Sequence, residues 1–282
     1  MAAEMIDGKK ISEELLGEVA QEVKAKNLTP KLATILVGDD PASQTYINSK
    51  IKACGRCGII SDHHPLPSSA TKKELLGLIA KLNKDASVHG ILVQVPLPGK
   101  LHSDEKELVE SVSPEKDVDG YTALNLGKLL QGDESMPSCT PAGVILLLEK
   151  SRVKVEGANA VVVGRSITVG RPLAAMLINR NATVTVCHSK TKDLAAATRN
   201  ADILCVAVGK PKLVTKGMVK PGAAVIDVGI NRVEGKLVGD VDFDSVKEVA
   251  GKITPVPGGV GPMTVALLMR NTMRACERAS RR

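Results

Sequence analysis

The sequence predicts an α/β protein made of two α/β domains with a cleft between them. Three observations lead there. Apolar strand-like runs alternate with amphipathic helix patterns along almost the whole chain. With no Trp, one Phe and two Tyr in 282 residues, the core must be built of Val, Ile, Leu and Ala, which suits parallel strands buried under helices. A polar, proline-bearing stretch, QGDESMPSCTPAG, interrupts the alternation near its middle and reads as a boundary.

In chain order, ISEELLGEVAQEVKAKN reads as an amphipathic helix and LATILVG as a buried strand. VGDDPAS then offers Asp39 or Asp40 as an N-cap and places Pro41 in a first helical turn. The helix it opens carries Ile47, Ile51 and Cys54 as an apolar stripe. GIISDHHPL, the helix TKKELLGLIAKLN and the strand GILVQVPLP complete a first domain over residues 1–138. PAGVILLLEK makes a connecting helix into a second series over 139–261: NAVVVGRSITVGRPLAAMLINRN, ATVTVCHS, DILCVAVG and AAVIDVGIN. A glycine–proline loop then opens onto a helix over 262–282, expected to pack back on the first domain.

Composition excludes several function classes. The formal charge is +7, but the lysines are dispersed and no aromatic interleaving accompanies them, so the excess points to anionic small ligands rather than nucleic acid. MAAEMIDGKKISEELL lacks a signal-peptide hydrophobic region, and no apolar run reaches the ~18 residues of a membrane span. Of six cysteines, Cys54 and Cys57 form CGRC, a spacing that metal and redox sites share. No second pair supplies ligands, no thioredoxin pattern surrounds it, and Cys54 falls on the apolar stripe. Buried thiols of a cytosolic protein, and no metal, are expected.

Tyr46 and Lys50 are i, i+4 neighbours that flank the same stripe, where the lip of a cleft forms. Alone, such a pair is more often a packing ring beside a long amine. It also occurs in short-chain dehydrogenases, where it follows the nucleotide loop. Here it precedes the only such loop, which rules that family out.

That loop is VVVGRSITVGRP, a strand running into a glycine turn and a helix. Gly164 allows the tight turn and Gly170 a close approach at the helix start, so the second domain reads as Rossmann-like and dinucleotide-binding. Ser166 stands where the usual fingerprint has its second glycine. The next strand ends VCHSKTK, without the acid that would hold ribose hydroxyls. His188, Ser189, Lys190 and Lys192 cluster there instead, with Arg165 across the turn. Cationic and hydroxyl donors suit a 2′-phosphate, favouring NADP over NAD.

YINSK, VQVPLP, PEKDVDG, CTPAG, VVVGRSITVGRP, TVTVCHSKT, DVGIN and TPVPGGVGPMTVALL, in that order, resemble the bifunctional methylenetetrahydrofolate dehydrogenase/cyclohydrolase family over nearly the whole chain. The resemblance implies that Lys50 is catalytic and that Tyr46 stacks on and orients the folate. It implies that Gln94, between Val93 and Val95 in the substrate-binding strand end, bonds the lysine and the folate, and that Asp119 holds the pterin. Gly164, Arg165, Ser166, Ser189 and Ile230 match NADP-contacting positions. Pro257, Gly258, Gly259, Val260 and Gly261 match a loop lining the folate side.

The implied activity is NADP-dependent oxidation of methylenetetrahydrofolate, then hydrolysis of the methenyl product, in a cytoplasmic homodimer. Read without the resemblance, Gln94 is a polar residue at the carboxyl end of an apolar strand, where open α/β sheets bind ligands. Asp119 lies in DVDG, which begins like a calcium loop but lacks the downstream glutamate; GDVDFD fails likewise. A related pterin in place of folate, a non-catalytic NADP-binding regulator and a basic nucleic-acid binder are the competing readings.

Overall fold

The computed structural model describes residues 2–281. Strand β1 (Glu4–Met5) leads into α1 (Gly8–Ala25), followed by β2 (Lys31–Val37), α2 (Pro41–Cys57), β3 (Ile60–Leu66), α3 (Lys72–Lys84) and β4 (Gly90–Val93). Helices α4 (Leu101–Glu110), α5 (Ala123–Leu130) and α6 (Cys139–Lys150) come next. Then come β5 (Asn159–Val163), α7 (Gly170–Ile178), β6 (Thr183–Cys187), α8 (Leu194–Thr198), β7 (Ile203–Val206) and β8 (Ala224–Asp227). The hairpin β9 (Asn231–Val233) and β10 (Lys236–Val238), α9 (Phe243–Val246), β11 (Lys252–Ile253) and α10 (Val260–Ala279) complete the chain.

Two compact units interleave along it. One comprises Glu13–Lys128, Asp133–Cys139 and the chain from Val265 onward. Its three-stranded sheet has the order β3-β2-β4, and both pairings are parallel. Central strand β2 is buried on both faces beyond Lys31, as the near-continuous apolar run requires. Ala33, Ile35, Leu75, Ile79, Ile91 and Val93 form its core. Each fully buried aliphatic side chain there contributes ~1.5–3 kcal/mol. Asp40 caps α2, its carboxylate accepting the Ser43 N–H, with Pro41 in the first turn. A capping box between Thr71 and Glu74 starts α3.

The other unit comprises the chain up to Ser12, Leu129–Gly132 and Thr140–Thr264. Its six strands have the order β1-β11-β8-β7-β5-β6, all pairings parallel. The glycine turn follows β5, inside the sheet, and Val161, Val163, Leu204, Val206, Val225 and Ile253 form the core around it.

The expected strand over 90–98 is shorter than its apolar run: β4 stops at Val93. Pro96 and Pro98 lack the N–H that a ladder needs. Gln94 therefore sits just past the strand, although its own N–H still donates to the Ile35 carbonyl at 2.9 Å.

Candidate functional site

Helix α2 and the end of β4 bring two expected residues together. Lys50, 8% exposed, extends its amine to Gln94, donating from Nζ to Oε1 at 2.9 Å. Gln94 Nε2 donates to the Val95 carbonyl at 2.8 Å, which fixes the amide with its oxygen toward the lysine. Burial pushes the Lys50 pKa down, and the negative charge of Asp119 opposes that shift. Asp119 responds in the other sense. Burial pushes its carboxyl up to about 6, against the pull of Lys50 and a hydrogen bond from the Cys139 thiol. A buried amine pushed down and a half-buried carboxyl pushed up, each feeling the other's charge, are an acid–base arrangement.

Tyr46 lies one turn before Lys50 on α2 and is 40% exposed, so much of its ring is open to a ligand. Val93 is buried in β4 and Val95 half-buried beyond it. Asp119 owes its position to its neighbour Asp117, which is 2% exposed. The Asp117 carboxylate accepts the N–H groups of Gly120, Tyr121 and Thr122, at 3.0, 3.2 and 2.8 Å. It also accepts the Thr122 hydroxyl and Asn125 Nδ2, at 2.8 and 2.9 Å. The DVDG segment is thus a loop organised by its first acid, leaving the second available. Among the described residues, no group of three His, Cys, Asp or Glu side chains is placed to hold a metal ion.

In the six-stranded unit the glycine turn has the geometry a phosphate group needs. Gly164 has φ +128°, and a Cβ there would lie 2.2 Å from the Ala207 carbonyl oxygen. A Cβ on Gly170 would lie 2.2 Å from the Gly164 oxygen, so the helix α7 N-terminus packs directly against the turn. The Ser166 hydroxyl accepts the N–H groups of Val169 and Gly170 at 3.2 and 3.3 Å. Serine in place of the fingerprint's second glycine thereby orders the loop. Gly164 N–H donates to the Cys187 carbonyl, so the turn and the start of the His188–Lys192 segment leave adjacent strand ends. Arg165, Ser166, Ser189, Lys190 and Lys192 are all exposed there. A tight turn, a helix N-terminus and a cationic second strand end fit NADP.

Ile230 is 43% exposed, and a Cβ on Gly261 would meet its Cδ1 at 3.5 Å. Two residues expected at different ligands are therefore neighbours. Pro257 is exposed, Gly258 half-buried with φ +106°, and Gly259 and Val260 are buried.

Sequence reasoning missed Tyr121 and Cys139 beside Asp119, and Asp117 beneath it. The Tyr121 hydroxyl is pushed well up by burial and then by the Asp119 charge. The CGRC cysteines lie apart from this cluster's contacts. Cys54 and Cys57 are both buried, and burial pushes their thiols up to about 12 and about 11.

Residues 6–119 match the catalytic domain of the tetrahydrofolate dehydrogenase/cyclohydrolase family, and residues 138–280 match its NAD(P)-binding domain. The bifunctional protein FolD of Moorella thermoacetica is 56% identical, over 99% of this chain and 100% of its own. Among solved structures, the Campylobacter jejuni bifunctional FolD methylenetetrahydrofolate dehydrogenase/cyclohydrolase is 50% identical. It covers 98% of this chain and 99% of its own, with a TM-score of 0.93. The Trypanosoma brucei N5,N10-methylenetetrahydrofolate dehydrogenase-cyclohydrolase, solved with NADP and an inhibitor, is 38% identical over 100% of both chains, with a TM-score of 0.95.

Proposed function

This chain belongs to the tetrahydrofolate dehydrogenase/cyclohydrolase family, and from that membership we propose how its residues carry two reactions on one folate. It is a bifunctional one-carbon enzyme. It oxidises methylenetetrahydrofolate to the methenyl cation with NADP and hydrolyses that cation to formyltetrahydrofolate. The observation that carries this reading is the part-buried Lys50–Gln94 hydrogen bond with the Asp119 carboxyl close enough to influence the amine.

The unit carrying Lys50 holds the folate. Tyr46 stacks on it, Asp119 accepts from the pterin N–H groups, and Val93, Gln94 and Val95 line the strand end. The loop Pro257, Gly258, Gly259, Val260 and Gly261 lines the folate side. The unit carrying Gly164 holds the cofactor, through Gly164, Arg165, Ser166, Ser189 and Ile230. When bound, NADP⁺ accepts the hydride that leaves the methylene carbon. Oxidation requires no proton at that carbon, so the protein's part in it is alignment.

Hydrolysis requires proton movement. Water adds to the one-carbon centre, its bond to the ring nitrogen breaks, and that nitrogen gains a proton while a second proton leaves to solvent. Lys50 is built for this: burial lowers its pKa, and a cationic substrate beside it lowers it further. The neutral amine takes the proton from the attacking water and returns it to the departing nitrogen. Gln94 holds the amine in place in both protonation states, because its oxygen accepts from either.

Two further assignments go with this reading. The enzyme is a homodimer, supported by edge strand β6, where Thr183, Thr185 and Val186 are exposed and one side of the strand is unpaired. It is cytoplasmic, supported by six free, buried thiols. No helix among the described residues is long and apolar enough to cross a membrane. The deciding experiment follows NADPH formation from methylenetetrahydrofolate, then loss of the methenyl chromophore, on one purified sample. Absence of either turnover would overturn the assignment of that step.

A further inference from the structure

Two carboxylates lie buried at the carboxyl ends of β7 and β8, and neither reaction above uses them. Asp227 is 3% exposed and Asp240 0%. Asp227 accepts the N–H groups of Gly229 and Asp240, both at 3.0 Å, and of Val241 at 2.9 Å. It thereby fixes the backbone that presents Asp240. The Asp240 carboxylate then accepts three successive backbone N–H groups, from Val208 at 2.7 Å, Gly209 at 2.9 Å and Lys210 at 2.8 Å. Asn231 Nδ2 adds a fourth bond at 2.9 Å. Successive N–H groups of this kind form a concavity that binds anions; here the protein's own carboxylate fills it.

One side chain therefore ties the segment after β7 to the segment after β8. The fit is close enough that a Cβ on Gly229 would lie 2.2 Å from Asp240 Cγ. The first of these segments borders the nucleotide turn, and the second follows β8, the strand next to β7 in the sheet. Ala207 N–H donates to the Val163 carbonyl at 2.7 Å, and the Ala207 carbonyl is the group against which Gly164 packs. Ile230 stands between Gly229 and Asn231, the two residues that Asp240 touches on that side.

We propose that Asp240 is a positioning residue for the cofactor: by clamping Val208–Lys210 to Gly229–Asn231 it sets the wall on which NADP rests. It governs cofactor affinity without touching the lysine chemistry. The inference rests on the placement of NADP given above. A carboxylate is needed because all four partners are donors. An amide of the same shape turns an N–H₂ toward at least one of them.

The test uses Asp240→Asn and Asn231→Ala in the whole enzyme. The measurements are the NADP Kd by titration, the KM values for NADP and methylenetetrahydrofolate, and the rate of methenyl hydrolysis, which needs no hydride acceptor. Asp240→Asn should raise the NADP Kd and KM roughly tenfold or more. The folate KM and hydrolysis should stay within about twofold, a split that general loss of fold would not give. Asn231→Ala, which removes one bond of four, should raise the NADP KM by roughly threefold. Unchanged NADP affinity in Asp240→Asn, or hydrolysis falling in step with it, overturns the inference. If Asp240→Asn does not fold, an unchanged NADP KM in Asn231→Ala overturns it equally. Wild-type protein that fails to reduce NADP removes the underlying placement, and the inference with it, before any variant is compared.

Discussion

Gln94 presents its carbonyl oxygen, not its amide N–H₂, to Lys50, because Nε2 is already committed to the Val95 carbonyl. The lysine is thus held by an acceptor that carries no charge. An aspartate in that position would stabilise the ammonium and raise the pKa that burial has lowered. The site keeps the nearby Asp119 charge as an electrostatic influence and gives the direct hydrogen bond to an amide.

Lys50→Met should separate the two activities. The substitution preserves most of the stem and its packing and removes the amine. General acid–base assistance is worth about 10²–10⁴-fold, and methenyl hydrolysis should fall within that range. NADPH formation should fall at least roughly tenfold less, since hydride transfer moves no proton at the reacting carbon. Parallel rate measurements on one folded preparation check this. Retained hydrolysis would remove Lys50 from the proton path.

Asp119 should cost stability as it ionises. Its folded-state value is about 6 against an ordinary 3.8, a raised pKa. The stabilising contribution is present below about 4 and is lost as pH rises through about 6. Asp119→Asn should therefore gain stability relative to wild type between pH 4.5 and 8, by on the order of 1–3 kcal/mol, while folate turnover collapses. Thermal unfolding of both proteins across that range is the measurement. A difference that stays flat with pH would contradict the raised value.

Arg165→Ala should raise the KM for NADP on the order of 10- to 100-fold and leave the KM for NAD nearly unchanged, because a charge-assisted phosphate contact is lost. Equal effects on both cofactors would show that Arg165, exposed beside the glycine turn, does not read the 2′-phosphate.

Cys57→Ser should leave turnover within about threefold of wild type and insensitive to reductant. Its thiol donates to the Leu16 carbonyl at 3.5 Å, and burial holds it protonated well above neutral pH. Rapid labelling of the native protein at Cys54 or Cys57 by a thiol reagent at pH 7 would count against this.

Local signals in the sequence carried a large share of the architecture. A cap at Asp39 or Asp40 with Pro41 announced α2, where the structure uses Asp40, and the buried β2 run announced a parallel sheet. The place of Gln94 followed from the strand it ends. Tertiary relationships were not legible in the same way. DVDG begins like a calcium loop, and only the fold shows the Asp117 carboxylate collecting five donors from the turn and from helix α5 after it. Cys139 reaches Asp119 from twenty positions further along the chain, with no periodicity to announce the contact. The β9–β10 hairpin could have been found. Glu234 and Gly235 both take positive φ, 48° and 79°, between short strands, a pairing that a two-residue turn requires.

Strand β1 has a partner that is made very late. Glu4 pairs with Lys252, 248 positions further on, and Ile6, 1% exposed in the finished protein, donates its N–H to the Ile253 carbonyl. At about 5–20 residues per second of synthesis, the residues of β1 emerge from the ribosome tens of seconds before their partner strand exists. An apolar residue and an open backbone edge are exposed throughout that interval. The six-stranded sheet is therefore completed only once β11 has been made, and a ribosome stalled anywhere between β1 and β11 leaves β1 without its partner.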